Sequence, residues 1–102
     1  MALSISGFPF EGPFESTDDL ADRSGVYVIV DSTPTAITPV DCGESATVKS
    51  RVLGHDRAPC WKRHHAGTLM VAVLYTPGEG QAGRRLIESR IRADYDFPCG
   101  KI

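Results

Sequence analysis

The chain has 102 residues, of which 13 are acidic and 11 are basic, so its formal net charge is −2. This length predicts one domain with a modest hydrophobic core, and 41% hydrophobic and 24% charged residues are typical of a globular protein. No apolar run approaches the ~20 residues that cross a bilayer, which excludes a membrane-spanning helix. The first residues lack a basic segment followed by a long apolar stretch, so we expect no signal peptide.

Acidic and basic residues are concentrated in different parts of the chain. Residues 1–44 carry eight acids and one base, whereas residues 45–102 carry ten bases, five acids and all three histidines. A pI near 5.8 argues against nucleic-acid binding. A local basic patch, however, sets the field that a ligand meets, whatever the net charge. The second part of the chain therefore remains a candidate binding surface for polyanions.

The N-terminal residues do not carry the pattern of a regular element. Residues 1–14 contain two prolines and two glycines, which exclude a regular helix, and three phenylalanines, which favour an arm lying on the domain surface. Residues 16–22 begin with Ser16, a good N-cap, and predict one or two helical turns. We therefore assign residues 1–23 to an acidic N-terminal arm and residues 24–102 to the folded domain.

Three segments have the composition of β-strands. Residues 25–31 are β-branched and aromatic with almost no polar interruption, which predicts a central strand buried on both faces. Residues 36–42 follow a short turn and predict the hairpin partner of that strand. Residues 68–76 predict a third strand that is also apolar on both faces.

Two segments predict helices, and a third, residues 56–67, fits either a loop or a short helix. The first helix spans residues 44–55 with Ser45 as N-cap, and the longest spans residues 81–94. The side chains expected to face the core are Val48 and Val52 in the first, and Leu86, Ile87 and Ile91 in the second. The order strand, strand, helix, strand, helix predicts an α/β chain of the α+β type, in which helices pack on a small three-stranded sheet.

Three cysteines, Cys42, Cys60 and Cys99, form an odd set. Without an export signal they favour reduced thiols in a cytoplasmic protein. Cys60 precedes His64 and His65 at a metal-like spacing, and either other cysteine could add a fourth ligand for zinc. Structural zinc sites usually contain a closely spaced cysteine pair, which this chain lacks, so we favour core thiols and surface histidines.

Taken one at a time, few residues indicate a chemical function. The sequence motifs of phosphate-binding loops, dinucleotide-binding sites, zincins and serine hydrolases are absent. Arg51 and His55 lie one helical turn apart and could grip a phosphate, although the spacing alone favours a solvated helix face. Glu88 lies three or four residues from three arginines, which is typical of ion pairs on a helix surface.

Taken in chain order, these residues resemble the GIY-YIG nuclease superfamily. Gly25-Val26-Tyr27 resembles its first motif, and Asp41-Cys42-Gly43 stands where the family has its second. Residues 49–55 are similar to the family's first helix with its arginine and a following histidine, and Glu88 fits its metal-binding glutamate. The resemblance covers about residues 24–100.

This resemblance implies a three-stranded antiparallel sheet flanked by helices, and hydrolysis of phosphodiester bonds in DNA with one divalent metal ion, Mg²⁺ or Mn²⁺. The implied catalytic residues are Tyr27, Arg51, His55 and Glu88. The implied metal ligands are Glu88 and Asp41, and the implied substrate contacts are Gly43, Ser45, Lys49, Arg57, Lys62 and Arg63.

The resemblance also implies a role for each catalytic side chain. Glu88 would hold the metal, and Arg51 would stabilise charge that develops on the phosphate. Tyr27 would position or deprotonate the attacking water, acting as a phenolate if nearby cations lower its pKa. His55 would assist as a base or as a phosphate contact.

Two departures from the family pattern leave other hypotheses open. Asp41 replaces the tyrosine of the second motif, and the asparagine near the family's C-terminus has no counterpart. The chain could thus be a catalytically degenerate member that binds nucleic acid or a protein without cleavage. A third hypothesis is a non-nucleolytic domain whose acidic arm docks a protein partner. Because no DNA-reading module is attached, activity would call for a homodimer, a protein partner or low specificity.

Overall fold

The computed structural model describes residues 2–100, which form five β-strands and three α-helices. The strands are β1 (Ala2–Ile5), β2 (Phe8–Phe14), β3 (Gly25–Ser32), β4 (Ile37–Ser45) and β5 (Thr68–Tyr75). The helices are α1 (Val48–Leu53), α2 (Ala58–Arg63) and α3 (Gln81–Asp94), and a 3₁₀ turn spans Thr17–Asp19. Within this part of the chain, no helix has the length and apolarity needed to cross a membrane.

All five strands belong to one antiparallel sheet in the order β1-β2-β5-β3-β4. β3 lies between β5 and β4 and is buried over its first seven residues, which confirms the predicted central strand. The α+β class and the order of elements from β3 to α3 are also confirmed. The predicted number of three strands is wrong, because β1 and β2 extend the sheet beyond β5.

The first 14 residues are built into the sheet rather than laid on the domain surface. Ser6 and Gly7 have φ angles of 52° and 83° and join β1 to β2, as the two-residue turn of a type I′ hairpin requires. Phe10 is fully buried and packs in one cluster with Val28 of β3. The expected surface arm is therefore wrong. Its prolines lie in β2 where no regular pairing with β5 exists, because Pro9 precedes the first paired residue and Pro13 lies within the register shift between Glu11 and Phe14.

The hydrophobic core has two layers, one on each face of the sheet, since neighbouring residues of a strand point to opposite faces. One layer lies beneath α1 and α2 and includes Tyr27, Ile29, Val48, Val52, Trp61 and Val73. The other lies beneath α3 and the β1–β2 hairpin and includes Phe10, Val26, Val28, Val30 and Ile91. β1 and β4 are at opposite edges of the sheet, yet both line one apolar cavity of about 130 Å³, so the sheet is curled.

Helix α3 buries the expected face with one exception. Ile91 is buried and Ile87 packs against the core as expected, but Leu86 is 73% exposed, whereas Arg84 is buried. The physical reason lies on β4, where Glu44 offers a carboxylate 3.6 Å from the Arg84 guanidinium. This ion pair therefore places one polar residue of the helix, Arg84, against the sheet.

A disulfide bond joins Cys60 of α2 to Cys99 in the segment after α3. The expectation of three reduced thiols is therefore wrong for this pair, while Cys42 remains a free and fully buried cysteine. The two bonded cysteines are 39 positions apart, and no local pattern predicts such a pairing. The bond ties the C-terminal segment to the layer that contains α1 and α2.

Candidate active site

The side chain of Tyr27 is positioned by a cross-strand glycine. Tyr27 on β3 pairs directly with Gly43 on β4. A Cβ atom added at Gly43 would collide with the hydroxyl and ring of Tyr27, so only glycine lets the ring lie across the neighbouring strand.

The Tyr27 hydroxyl meets the buried imidazole of His55, with Oη 2.6 Å from Nε2. The other ring nitrogen, Nδ1, accepts a hydrogen bond from the backbone N–H of Arg57 at 3.0 Å. A neutral imidazole carries one proton, so that proton lies on Nε2 and is donated to Tyr27 Oη. The hydroxyl hydrogen of Tyr27 is therefore free to serve another acceptor.

The protonation states of this pair follow from burial and from nearby guanidinium groups. Burial, reinforced by the charges of Arg51 and Arg57, lowers the pKa of His55 to about 4, so the imidazole is neutral at pH 7. Burial also raises the pKa of Tyr27 to about 12, because it outweighs the opposing effect of the same two arginines. With this pKa Tyr27 is a neutral phenol at pH 7, so the condition for the expected phenolate, a pKa lowered by nearby cations, is not met.

The Tyr27 hydroxyl borders a polar pocket of about 190 Å³ to which both strands and helices contribute. The lining residues are Tyr27, Gly43, Glu44, Arg51, Arg57, Arg85 and Glu88. Five of these were predicted from the sequence, and they come from β3, β4, α1, the loop before α2, and α3. Three arginines and two glutamates around one opening carry the charges that a phosphate and a cation would each require.

Two carboxylates face this pocket without being fully used by other groups. Glu88 Oε2 accepts a hydrogen bond from Arg92 Nε at 3.1 Å, and within the described residues its second oxygen accepts none. Glu44 also lines the pocket, but its Oε2 is buried and forms an ion pair with Arg84 Nε at 3.6 Å without accepting a hydrogen bond from this part of the chain. Oxygen atoms of this kind are the ligands that Mg²⁺ and Mn²⁺ prefer.

Asp41, expected to be a metal ligand, is fully buried beside the pocket and does not line it. Its Oδ1 accepts hydrogen bonds from the Cys42 N–H and Arg92 Nη2, both at 2.8 Å. Its Oδ2 accepts from Arg57 Nε and Trp61 Nε1, both at 2.7 Å. A carboxylate has about four lone-pair sites, so none remains for a cation.

The charge of Asp41 is sustained by these donors. Burial by itself would raise the pKa of Asp41, but the hydrogen bonds from Arg57 and Trp61 outweigh it and hold the pKa below its ordinary value. Asp41 therefore orients Arg57, which lines the pocket, and Arg92, which holds Glu88. We assign it a positioning role in place of the expected metal contact.

The remaining predicted residues lie outside the pocket lining. Ser45 ends β4 instead of capping a helix, because α1 begins only at Val48, and its hydroxyl accepts a hydrogen bond from the Thr47 N–H. Lys49 lies on α1, whereas Lys62 and Arg63 are exposed on α2. These cations could contact a long ligand only beyond the pocket.

Sequence reasoning missed two contributors, namely Arg85 and the indole of Trp61, and it placed Glu44 near the site without giving it a role. Arg85 lies three residues before Glu88, a spacing that is equally typical of an ion pair on a helix surface. The structure places Arg85 in the pocket lining. The link from Trp61 to Asp41 spans 20 positions and has no local signal.

Comparison with known proteins found no family model, curated protein or solved structure that matches this chain.

Proposed function

We propose that this chain is a metal-dependent endonuclease that hydrolyses phosphodiester bonds in DNA. The observation that carries the proposal is the convergence of Tyr27, Arg51 and Glu88, from three separate elements, on one polar pocket. The resemblance of the chain's ordered motifs to the GIY-YIG nuclease superfamily supports the same activity.

The residues present fit a single hard divalent cation. Glu88 and Glu44 supply carboxylate oxygens, and Mg²⁺ in phosphate chemistry typically takes one or two carboxylates and fills its remaining positions with water and substrate oxygens. When bound, Mg²⁺ or Mn²⁺ would neutralise the phosphate and stabilise the leaving oxygen. The saturated Asp41 carboxylate is left out of this ligand set.

The chain's own residues bind and orient the reactants. Arg51 and Arg57 carry guanidinium groups that match the oxygens of a phosphodiester and stabilise the charge that develops on it. Tyr27 accepts a hydrogen bond from His55 and donates its own proton into the pocket, to the attacking water or to a phosphate oxygen. His55, whose side chain is fully buried, acts through Tyr27 and does not touch the DNA.

Nicking of a supercoiled plasmid in the presence of Mg²⁺ or Mn²⁺ tests the proposal. The Glu88→Gln variant is expected to lose at least about 100-fold in rate, because a carboxamide is a poor ligand for a divalent cation. Asp94→Asn is the matched control, since Asp94 is an exposed acid at the end of the same helix and lies outside the pocket. Absence of nicking by the wild type, or nicking undiminished in Glu88→Gln, contradicts the proposal.

A second candidate function is DNA binding without cleavage by a degenerate domain. It is favoured by Asp41, which takes the place of the second-motif tyrosine and is committed to two arginines. Salt-dependent binding of a labelled duplex without turnover would support this alternative. Turnover that is lost in Arg51→Ala and kept in Arg90→Ala, an exposed arginine outside the pocket, would remove it.

A further inference from the structure

A second group of side chains with metal-ligand chemistry lies at the end of α2, away from the pocket. The ligand atoms of Cys60, His64 and Cys99 all lie within 4.8 Å of one another. Cys60 lies in α2, His64 is the residue that directly follows this helix, and Cys99 approaches from the segment after α3. None of the three lines the Tyr27 pocket.

Two sulfurs and one imidazole nitrogen form a donor set that suits zinc. Zinc binds cysteine thiolates and histidine nitrogens in tetrahedral geometry, and a site with three protein ligands keeps one position for water. In the oxidised protein the two sulfurs are bonded to each other. Once that bond is opened, tetrahedral ligands with Zn–S distances of ~2.3 Å need the sulfurs roughly 3.8 Å apart, a small displacement.

Cys99 is held close to Cys60 by contacts other than the disulfide. Its backbone N–H donates a hydrogen bond to the Val40 carbonyl at 3.1 Å. Its own carbonyl accepts one from Arg92 Nη1 at 3.3 Å. The nearby Phe97 side chain is buried in the core. Because these contacts do not depend on the disulfide, Cys99 stays in place after reduction. The exposed side chain of His64 gives a metal ion access from solvent.

We propose that reduction converts the Cys60–Cys99 disulfide into a zinc site formed by Cys60 Sγ, Cys99 Sγ and a ring nitrogen of His64. A dithiol supplies the two electrons and two protons that turn the disulfide into two thiols, and is itself oxidised to a disulfide. Zinc then displaces the two thiol protons and binds the thiolates. The site is independent of the proposed nuclease activity.

Cobalt titration of the full chain tests this site directly. The protein is reduced with a phosphine, freed of reductant under anaerobic conditions, and titrated with Co²⁺ while thiolate-to-cobalt charge-transfer absorption is recorded. The reduced wild type is expected to saturate at one equivalent and to lose the absorption when Zn²⁺ is added. The oxidised protein is expected to show no such absorption, because its sulfurs are not thiolates.

Variants identify the ligands. His64→Ala is expected to weaken Co²⁺ binding by at least about tenfold, and Cys60→Ser to remove the paired-thiolate spectrum. His65→Ala is the matched control, because it removes the adjacent exposed histidine, whose Nδ1 instead contacts the Gly67 carbonyl. Cys42→Ala controls for the remaining thiol, which is buried elsewhere in the core.

A readout on the unmodified chain covers the case in which a variant fails to fold. Zn²⁺ is expected to protect Cys60 and Cys99 of the reduced wild type from alkylation, as measured by mass spectrometry of the peptides. Reduced wild type without charge-transfer absorption, alkylation that Zn²⁺ does not slow, or a folded His64→Ala that binds as tightly as wild type would each overturn the proposal.

Discussion

Asp41 organises the candidate active site from beneath, because its buried carboxylate holds both Arg57 and Arg92 in place. Asp41→Asn removes the charge that holds Arg57 and Arg92, so Arg57 loses its buried counter-ion and Arg92 keeps only Glu88. Breaking a buried ion pair typically costs a few kcal/mol, so we expect the free energy of unfolding to fall by about 3 kcal/mol. Urea denaturation measures this change.

Asp56→Asn is the matched control for that substitution. The carboxylate of Asp56 lies 2.9 Å from Arg51, as close as the ion pairs of Asp41, but its side chain is 72% exposed. Solvent screens such a pair, so we expect its loss to lower the free energy of unfolding much less than Asp41→Asn does. Equal effects of the two substitutions would show that burial does not set the importance of Asp41.

Gly43 limits where the Tyr27 ring can lie. Gly43→Ala places a methyl group on the Tyr27 hydroxyl and ring, so we expect a destabilisation of about 1–3 kcal/mol from overpacking, measured by urea denaturation. Gly78→Ala is the control, since nothing lies within 4 Å of a Cβ at Gly78. A Gly43→Ala protein as stable as Gly78→Ala would mean that the ring moves aside without cost.

His55 makes the stability of the fold depend on pH. Its pKa is lowered from 6.5 to about 4 by folding, so between these values the unfolded chain binds more protons than the folded one. Stability is complete above about pH 6.5 and falls by up to roughly 3 kcal/mol as the pH drops to about 4. The measurement is the free energy of unfolding across this range.

The His55→Gln variant distinguishes the contribution of the histidine to this pH dependence from the contribution of the carboxylates. Asp41 also has a lowered pKa, but it destabilises the fold only at pH values below the ordinary aspartate range, on the acid side of the His55 window. We expect the decline between pH 6.5 and 4 to vanish in His55→Gln and to persist in His65→Gln. An unchanged decline in His55→Gln would contradict the assignment.

At the scale of elements, the β1–β2 hairpin forms part of the hydrophobic core and does not lie on its surface as a separate arm. Phe10→Ala removes a ring that is 0% exposed, and such truncations cost about 3–5 kcal/mol, so we expect a loss in that range by urea denaturation. Phe8 on the same strand is only partly buried, and Phe8→Ala should cost clearly less. If both substitutions cost equally little, the hairpin would be a surface arm that does not contribute to the core.

The buried face of α3 shows how a neighbouring element adds to an apolar pattern. The helix was correctly predicted over residues 81–94, and Ile87 and Ile91 face the core as expected, but Leu86 is exposed and Arg84 is buried. Acidic residues on β4 determine this orientation, since Glu44 pairs with Arg84 and Asp41 pairs with Arg92. A charge on a neighbouring strand has no signature in the helix's own sequence.

At the scale of the whole molecule, the net charge of −2 coexists with three arginines around the pocket. If Arg51 and Arg57 hold one phosphate and Arg85 contacts a second, the logarithm of the DNA affinity should fall with the logarithm of salt concentration with a slope of about −2. Arg85→Ala should reduce that slope by about 1, and Arg90→Ala should leave it unchanged. Fluorescence anisotropy of a labelled duplex measures both, and binding that does not depend on salt would contradict the arrangement.

Much of the candidate site could be predicted because it follows short motifs on elements with strong local patterns. Tyr27 lies in a β-branched strand, Arg51 and His55 are one turn apart, and Glu88 lies in the longest helix; the predicted elements place them in the right order. Their protonation could not be predicted, because burial raises the pKa of Tyr27 and lowers that of His55 only in the folded chain.

The sequence by itself determined which segments become β3, β5 and α3 and the order in which they follow, because runs of β-branched residues and helical periodicity are local properties. Only the tertiary structure decided that residues 2–14 enter the sheet, that Cys60 joins Cys99, and that Asp41 is occupied by arginines. Each of these depends on a partner between 16 and 62 positions away. Interactions over such separations are selected by how the whole chain packs, which no local pattern encodes.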